Sequence, residues 1–118
     1  MALTCIKKGV LYQEVPLKDN AYDLEGIRNA VQKNQPKLVL IQRSRGYSTR
    51  ASLKISDIRT IIQTVKAVSP QTICMVDNCY GEFVELREPS NVGADMIVGS
   101  LIKNPGGGLA PIGGYICG

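Results

Sequence analysis

The chain has 118 residues, 44% apolar and 20% charged, which is room for one modest domain of soluble, globular composition. A formal charge of +4 is mild and spread along the chain, so it is no signature of nucleic-acid binding. No apolar run approaches the roughly 20 residues of a membrane span, and the absence of any His excludes Ser-His-Asp and Cys-His catalysis and His-ligated metals.

In chain order, the first residues carry no long apolar segment of the secretory kind, so the expected setting is cytoplasmic. Val10–Val15 reads as a short strand closed by Pro16. Lys18-Asp19-Asn20 is a turn. Asp23 is placed to cap a helix whose Leu24, Ile27 and Val31 share one face, and Asn34-Gln35-Pro36 ends it. Leu38–Ile41 is apolar throughout, the mark of a strand covered on both faces. A polar loop with three arginines follows, from Gln42 to Leu53.

Ser56 is the expected cap of a second helix, with Ile58, Ile61, Ile62, Val65 and Val68 on one face and Ser69-Pro70 as its stop. Ile73–Val76 is another all-apolar strand, halted at Asp77-Asn78. Met96–Val98 is a shorter one, halted at Gly99-Ser100, and Ile112–Cys117 is the last strand. Eight of the 12 glycines fall between Gly93 and Gly118, so the chain reads as a segment cut from a longer domain. Of the four cysteines, Cys74 and Cys117 lie in apolar runs and read as buried thiols. With Cys5 and Cys79 they form no CxxC or zinc-like spacing, which fits a reduced compartment.

Apolar strands alternating with amphipathic helices predict an α/β fold. The expected form is three-layer, a mostly parallel sheet with helices on both faces. Ligands of such sheets gather beyond the carboxyl ends of the strands. Three polar groups stand there. Asp77 follows a buried strand; it is either a turn residue or a carboxylate aimed at a cationic ligand. Ser100 closes the next strand. Lys103 precedes Pro105-Gly106-Gly107-Gly108, and is either a solvated amine or one whose pKa is lowered in an apolar site. The Lys precedes its glycines, so this is no Walker loop. A metal site is the weaker reading of Asp77, with only Glu82 and Glu85 near it in sequence.

A Lys, a carboxylate and a hydroxyl at one sheet edge suggest pyridoxal 5'-phosphate (PLP). The amine forms a Schiff base with the aldehyde, the carboxylate keeps the ring nitrogen protonated, and the hydroxyl with backbone amides holds the phosphate.

The segments Val76–Phe83 and Gly99–Pro111 resemble the methionine gamma-lyase and cystathionine beta-lyase-like proteins of the aluminium-resistance branch, within the fold type I PLP enzymes. Ile41–Ser48 is similar to the same branch. The resemblance implies that residues 1–118 are the middle of a large PLP-binding domain, and that the last strand is antiparallel. It implies a carbon–sulfur lyase acting on sulfur amino acids by beta- or gamma-elimination. Lys103 would be the Schiff-base lysine, Asp77 the partner of the pyridine nitrogen and Ser100 the phosphate-side hydroxyl. Asn78 joins them as a cofactor-binding residue, and Tyr80 lies in the same motif. Arg43 and Arg45 would line the cofactor or substrate side, or be structural. The expected partners are an amino-acid substrate and further copies of the chain, with no nucleic acid and no membrane. A non-catalytic fragment of the PLP fold and an unrelated phosphate-binding α/β domain are the alternatives.

Overall fold

The computed structural model describes residues 9–118. Its elements are α1 (Leu24–Asn34), β1 (Leu38–Gln42), α2 (Ile55–Val68), β2 (Ile73–Asp77), a 3-10 turn (Pro89–Val92), β3 (Met96–Ser100) and β4 (Gly114–Cys117). The strands form one sheet in the order β1-β2-β3-β4. The first three are parallel, and β4 runs antiparallel to β3, as the resemblance implied. This is a mostly parallel α/β sheet.

Local chemistry accounts for the helices. The Asp23 carboxylate accepts from Gly26 N at 2.9 Å, which satisfies one of the free amides that open α1. Gln35 ends α1 in a left-handed conformation with φ 44°. Lys54, not Ser56, is the N-cap position of α2. The work expected of Ser56 is done by two carboxylates: Asp57 accepts from Lys54 N at 2.8 Å, and Glu85 accepts from Ile55 N at 3.0 Å. No helix among the described residues is long and apolar enough to cross a membrane.

Packing is one-sided. Ile27 and Val31 of α1 and Ile58, Ile61, Ile62 and Val65 of α2 join Ile41, Cys74 and Val76 of the sheet in a single core. Alternate residues of a strand point to opposite faces, so Leu38, Leu40 and Ile73 look away from that core and are 40–54% exposed. The helices described therefore cover one face, and the second layer is not built by these residues. The strand order explains why. Parallel strands joined by right-handed crossovers and added in sequence carry their connections on one face. A second layer requires the order to reverse.

Two expectations from apolar runs are corrected. Val10–Val15 is not a strand; it has no ladder partner among the described residues, and Leu11 is fully exposed. Cys117 is exposed rather than buried, because β4 is the sheet's edge strand and nothing described covers it. Cys5 lies outside the described residues.

Candidate active site

The register sets the site. Gln42 pairs with Asp77, and Asp77 with Val98, so β1 and β2 end level while β3 runs on to Ser100. Asp77 is the last residue of β2. Its carboxylate accepts from Cys79 N at 3.1 Å and shapes the turn that follows. Asp77 and Ser100 are both half-buried at this carboxyl edge.

Lys103 lies in the run of turns after β3, also half-buried. Its Nζ sits 4.7 Å from the centre of the Tyr80 ring, a cation–π distance. Burial pushes the Lys103 ammonium down. The Cys79 sulfur and the charges of Cys79, Tyr80 and Asp77 push it up, and the net direction is up. The lowered amine considered from sequence is thus not what this arrangement produces: here the ammonium is held charged. Cys79 goes the same way, its thiol pushed up by burial and by Asp77, against the opposing pull of Lys103. Asp77 and Lys103 therefore meet around Cys79, and the fold brings Asp77, Ser100 and Lys103 to one edge of the sheet.

The remaining named residues lie in or beside a polar network under that edge. Asn78 is 2% exposed; its Oδ1 accepts from Arg43 Nη1 and its Nδ2 donates to Glu88, both at 2.8 Å. Arg43 is equally buried. It donates from Nη1 to the Gly81 carbonyl at 2.8 Å and from Nη2 to Glu85 at 2.7 Å. That is the structural role left open by the sequence: Arg43 ties the end of β1 to the loop after β2. Gly81 is required there, because a Cβ at that position would come within 2.5 Å of the Arg43 side chain. Arg45 is exposed on the loop after β1, its carbonyl accepting from Ser48 N at 3.1 Å.

The sequence named Glu82 only as a neighbour of Asp77 in the weaker metal reading, and it did not single out Tyr115. Glu82 is 5% exposed, and its Oε1 accepts from the Tyr115 hydroxyl at 2.7 Å. Tyr115 lies opposite Gly99 in the β3–β4 ladder, with its ring on the space that a Cβ of residue 99 would fill. Burial, followed by the Glu82 hydrogen bond, pushes the phenol well above its ordinary value. Separated by 33 residues, the two carry no shared local pattern.

Residues 4–118 match the family described as methionine gamma-lyase. An uncharacterized 33.9 kDa protein of Lactobacillus delbrueckii subsp. bulgaricus is 48% identical over 116 residues, or 98% of this chain and 38% of its own. The structure of a candidate cystathionine beta-lyase involved in aluminum resistance from Clostridium acetobutylicum superposes with a TM-score of 0.91 at 50% identity. That match covers 97% of this chain and 27% of the other. A carbon-sulfur lyase involved in aluminum resistance from Clostridium novyi NT superposes with a TM-score of 0.88 at 46% identity, over 97% of this chain and 27% of its own. The chain thus spans 27–38% of the length of these proteins. With its residues matched from the fourth to the last and its fold superposed at nearly half identity, the chain belongs to the methionine gamma-lyase family.

Proposed function

We propose that this chain is the cofactor-binding part of a PLP-dependent carbon–sulfur lyase acting on sulfur amino acids by beta- or gamma-elimination. The observation that carries the reading is the meeting of Asp77, Ser100 and Lys103 at the carboxyl edge. The donor set fits PLP: an amine for its aldehyde, a carboxylate for its ring nitrogen, and a hydroxyl for its phosphate. When bound, PLP supplies an electron sink for the pair left at the substrate's α-carbon.

Lys103 would hold the cofactor through Nζ and, once the substrate's amine has displaced that nitrogen, would be free to move the proton at the substrate's Cα. To act as a base its Nζ must first lose the proton that its surroundings favour. Asp77 would hold a proton at the ring nitrogen, and Ser100 would donate its hydroxyl to a phosphate oxygen. Asn78, fixed by Arg43 and Glu88, holds the turn beside Asp77 in place.

The family match removes an unrelated phosphate-binding domain from consideration. A fragment of weak activity stays favoured by one observation: Tyr80, Ile102 and Leu109 at the edge are 50–90% exposed, so water is not excluded. The free thiols Cys74, Cys79 and Cys117 support a reducing, cytoplasmic setting. The open sheet face supports assembly with further copies of the chain.

The test is visible absorbance on adding PLP to the chain. A band in the parent that is lost in Lys103→Ala supports the reading; equal spectra in the two chains reject it.

A further inference from the structure

We infer that Glu82 and Tyr115 form a positioning pair for Lys103, a clasp that fixes the lysine loop over the Asp77 edge. The importance of this clasp for chemistry rests on Lys103 being the cofactor lysine; the clasp itself does not.

Apolar burial holds the loop after β3 only in part, with Leu101 and Ala110 half-buried. Ile102 is 50% exposed and Leu109 90% exposed. Among the described residues, besides the Lys103 N to Ser100 carbonyl contact at 3.4 Å and the contacts of the Lys103 ammonium with Cys79 and the Tyr80 ring, two hydrogen bonds join this loop to the rest of the chain. Leu101 N donates to the Gly113 carbonyl at 3.0 Å at the root of the loop. Asn104 Nδ2 donates to the Glu82 carbonyl at 3.1 Å, one residue beyond Lys103. Glu82 therefore anchors the backbone beside Lys103, while Cys79 and Tyr80, on the same turn, engage its ammonium.

Glu82 sits in a backbone that would not stay there unaided. Tyr80 has φ 67° and Phe83 has φ 63°, left-handed conformations that side-chain-bearing residues rarely adopt. Such strain persists only where the surroundings over-determine it. Arg43 packs on Gly81, Glu88 accepts from Phe83 N at 3.0 Å, and Tyr115 holds the Glu82 side chain. The other oxygen of Glu82 is buried without a partner, so among the described residues the Tyr115 hydroxyl carries the side chain's hydrogen bonding. Tyr115 is itself immobilised against Gly99, one residue before Ser100. The pair thus links β3, β4, the loop after β2 and the lysine loop. The raised phenol keeps this donor protonated into strongly alkaline pH.

The decisive variant is Tyr115→Phe, which removes the hydroxyl and leaves the ring on Gly99. Two readouts apply to the full 118-residue chain. The first is amide hydrogen exchange without PLP. Loss of the clasp is expected to speed exchange over 101–109 about tenfold and to leave α2 unchanged. The second is reductive trapping of PLP by borohydride, with Lys103 and the exposed Lys54 compared by mass spectrometry. Trapping at Lys103 is expected to fall about threefold or more relative to Lys54. Glu82→Gln keeps an acceptor for the hydroxyl and is expected to stay near the parent in both.

Unchanged exchange in Tyr115→Phe overturns the clasp, as does acceleration spread equally into α2. If the parent chain traps PLP no faster at Lys103 than at Lys54, it is the cofactor reading that fails. Local acceleration over 101–109 would then leave a structural clasp, and the positioning role would be overturned.

Discussion

At the scale of single residues, the site is built from groups whose neighbours leave them little freedom. Arg43 is 3% exposed and bonded to Asn78, Gly81 and Glu85. Arg43→Met would strand these acceptors, and we expect a loss of about 3 kcal/mol, less than a fully buried pair would lose because Glu85 and Glu88 are about a third exposed. The urea midpoint measures it. Gly99→Ala places a methyl group inside the Tyr115 ring position. Overpacking of this kind costs about 1–3 kcal/mol. In Gly99→Ala the fluorescence environment of Tyr115 should change together with the midpoint. A normal midpoint with an unmoved tyrosine signal would contradict the packing described.

Between elements, one ion pair joins α2 to the sheet. Asp95 accepts from Cys74 N at 2.7 Å and pairs with Lys66 Nζ at 2.7 Å. The Cys74 amide, then Lys66, hold its carboxyl below the usual carboxylate value. A carboxyl depressed in the folded state adds stability above its unfolded pKa of about 3.9, and that stability is lost as pH falls through the folded value. Asp95→Asn should therefore flatten the fall in stability below about pH 4 and cost about 1 kcal/mol at neutral pH, a modest figure because both partners are partly exposed and screened. Urea unfolding across the acid range reads both effects. The core between α2 and the sheet carries more. Ile58 is 0% exposed, and Ile58→Ala is expected to cost about 2–5 kcal/mol in the same measurement.

For the whole molecule, the one-sided core has a consequence for association. Leu38, Leu40 and Ile73 form an open apolar face, and Ile116 lies exposed on the edge strand. Open faces and edges of this kind favour pairing with another chain. Sedimentation velocity should show association that rises with concentration. Leu40→Lys should weaken it with little change in the unfolding midpoint, since Leu40 is 54% exposed and outside the core. Association unchanged in Leu40→Lys would assign the contact to another surface.

The sequence by itself determined the parts governed by local rules. The spacing of Ile58, Ile61, Ile62 and Val65 made a helix with one buried face, and Asp23 capped α1 because its carboxylate reaches an amide three residues on. Asp77 and Ser100 were legible as strand ends, and parallel strands necessarily bring such ends to one edge. What the tertiary structure decided depends on partners distant in the chain. Val10–Val15 has the composition of a strand but no neighbour to pair with among the described residues, and Cys117 lies in an apolar run yet stays exposed beside Ile97 because its strand is the edge of the sheet. Periodicity read Leu38–Ile41 as covered on both faces; whether a second layer exists depends on strand order, which no local pattern encodes. The upward push on the Lys103 ammonium, against burial, comes from Cys79, Tyr80 and Asp77, more than 20 residues before it. The burial of Arg43 and the Glu82–Tyr115 contact likewise join groups 33 to 42 residues apart, and such contacts exist only once the sheet has formed.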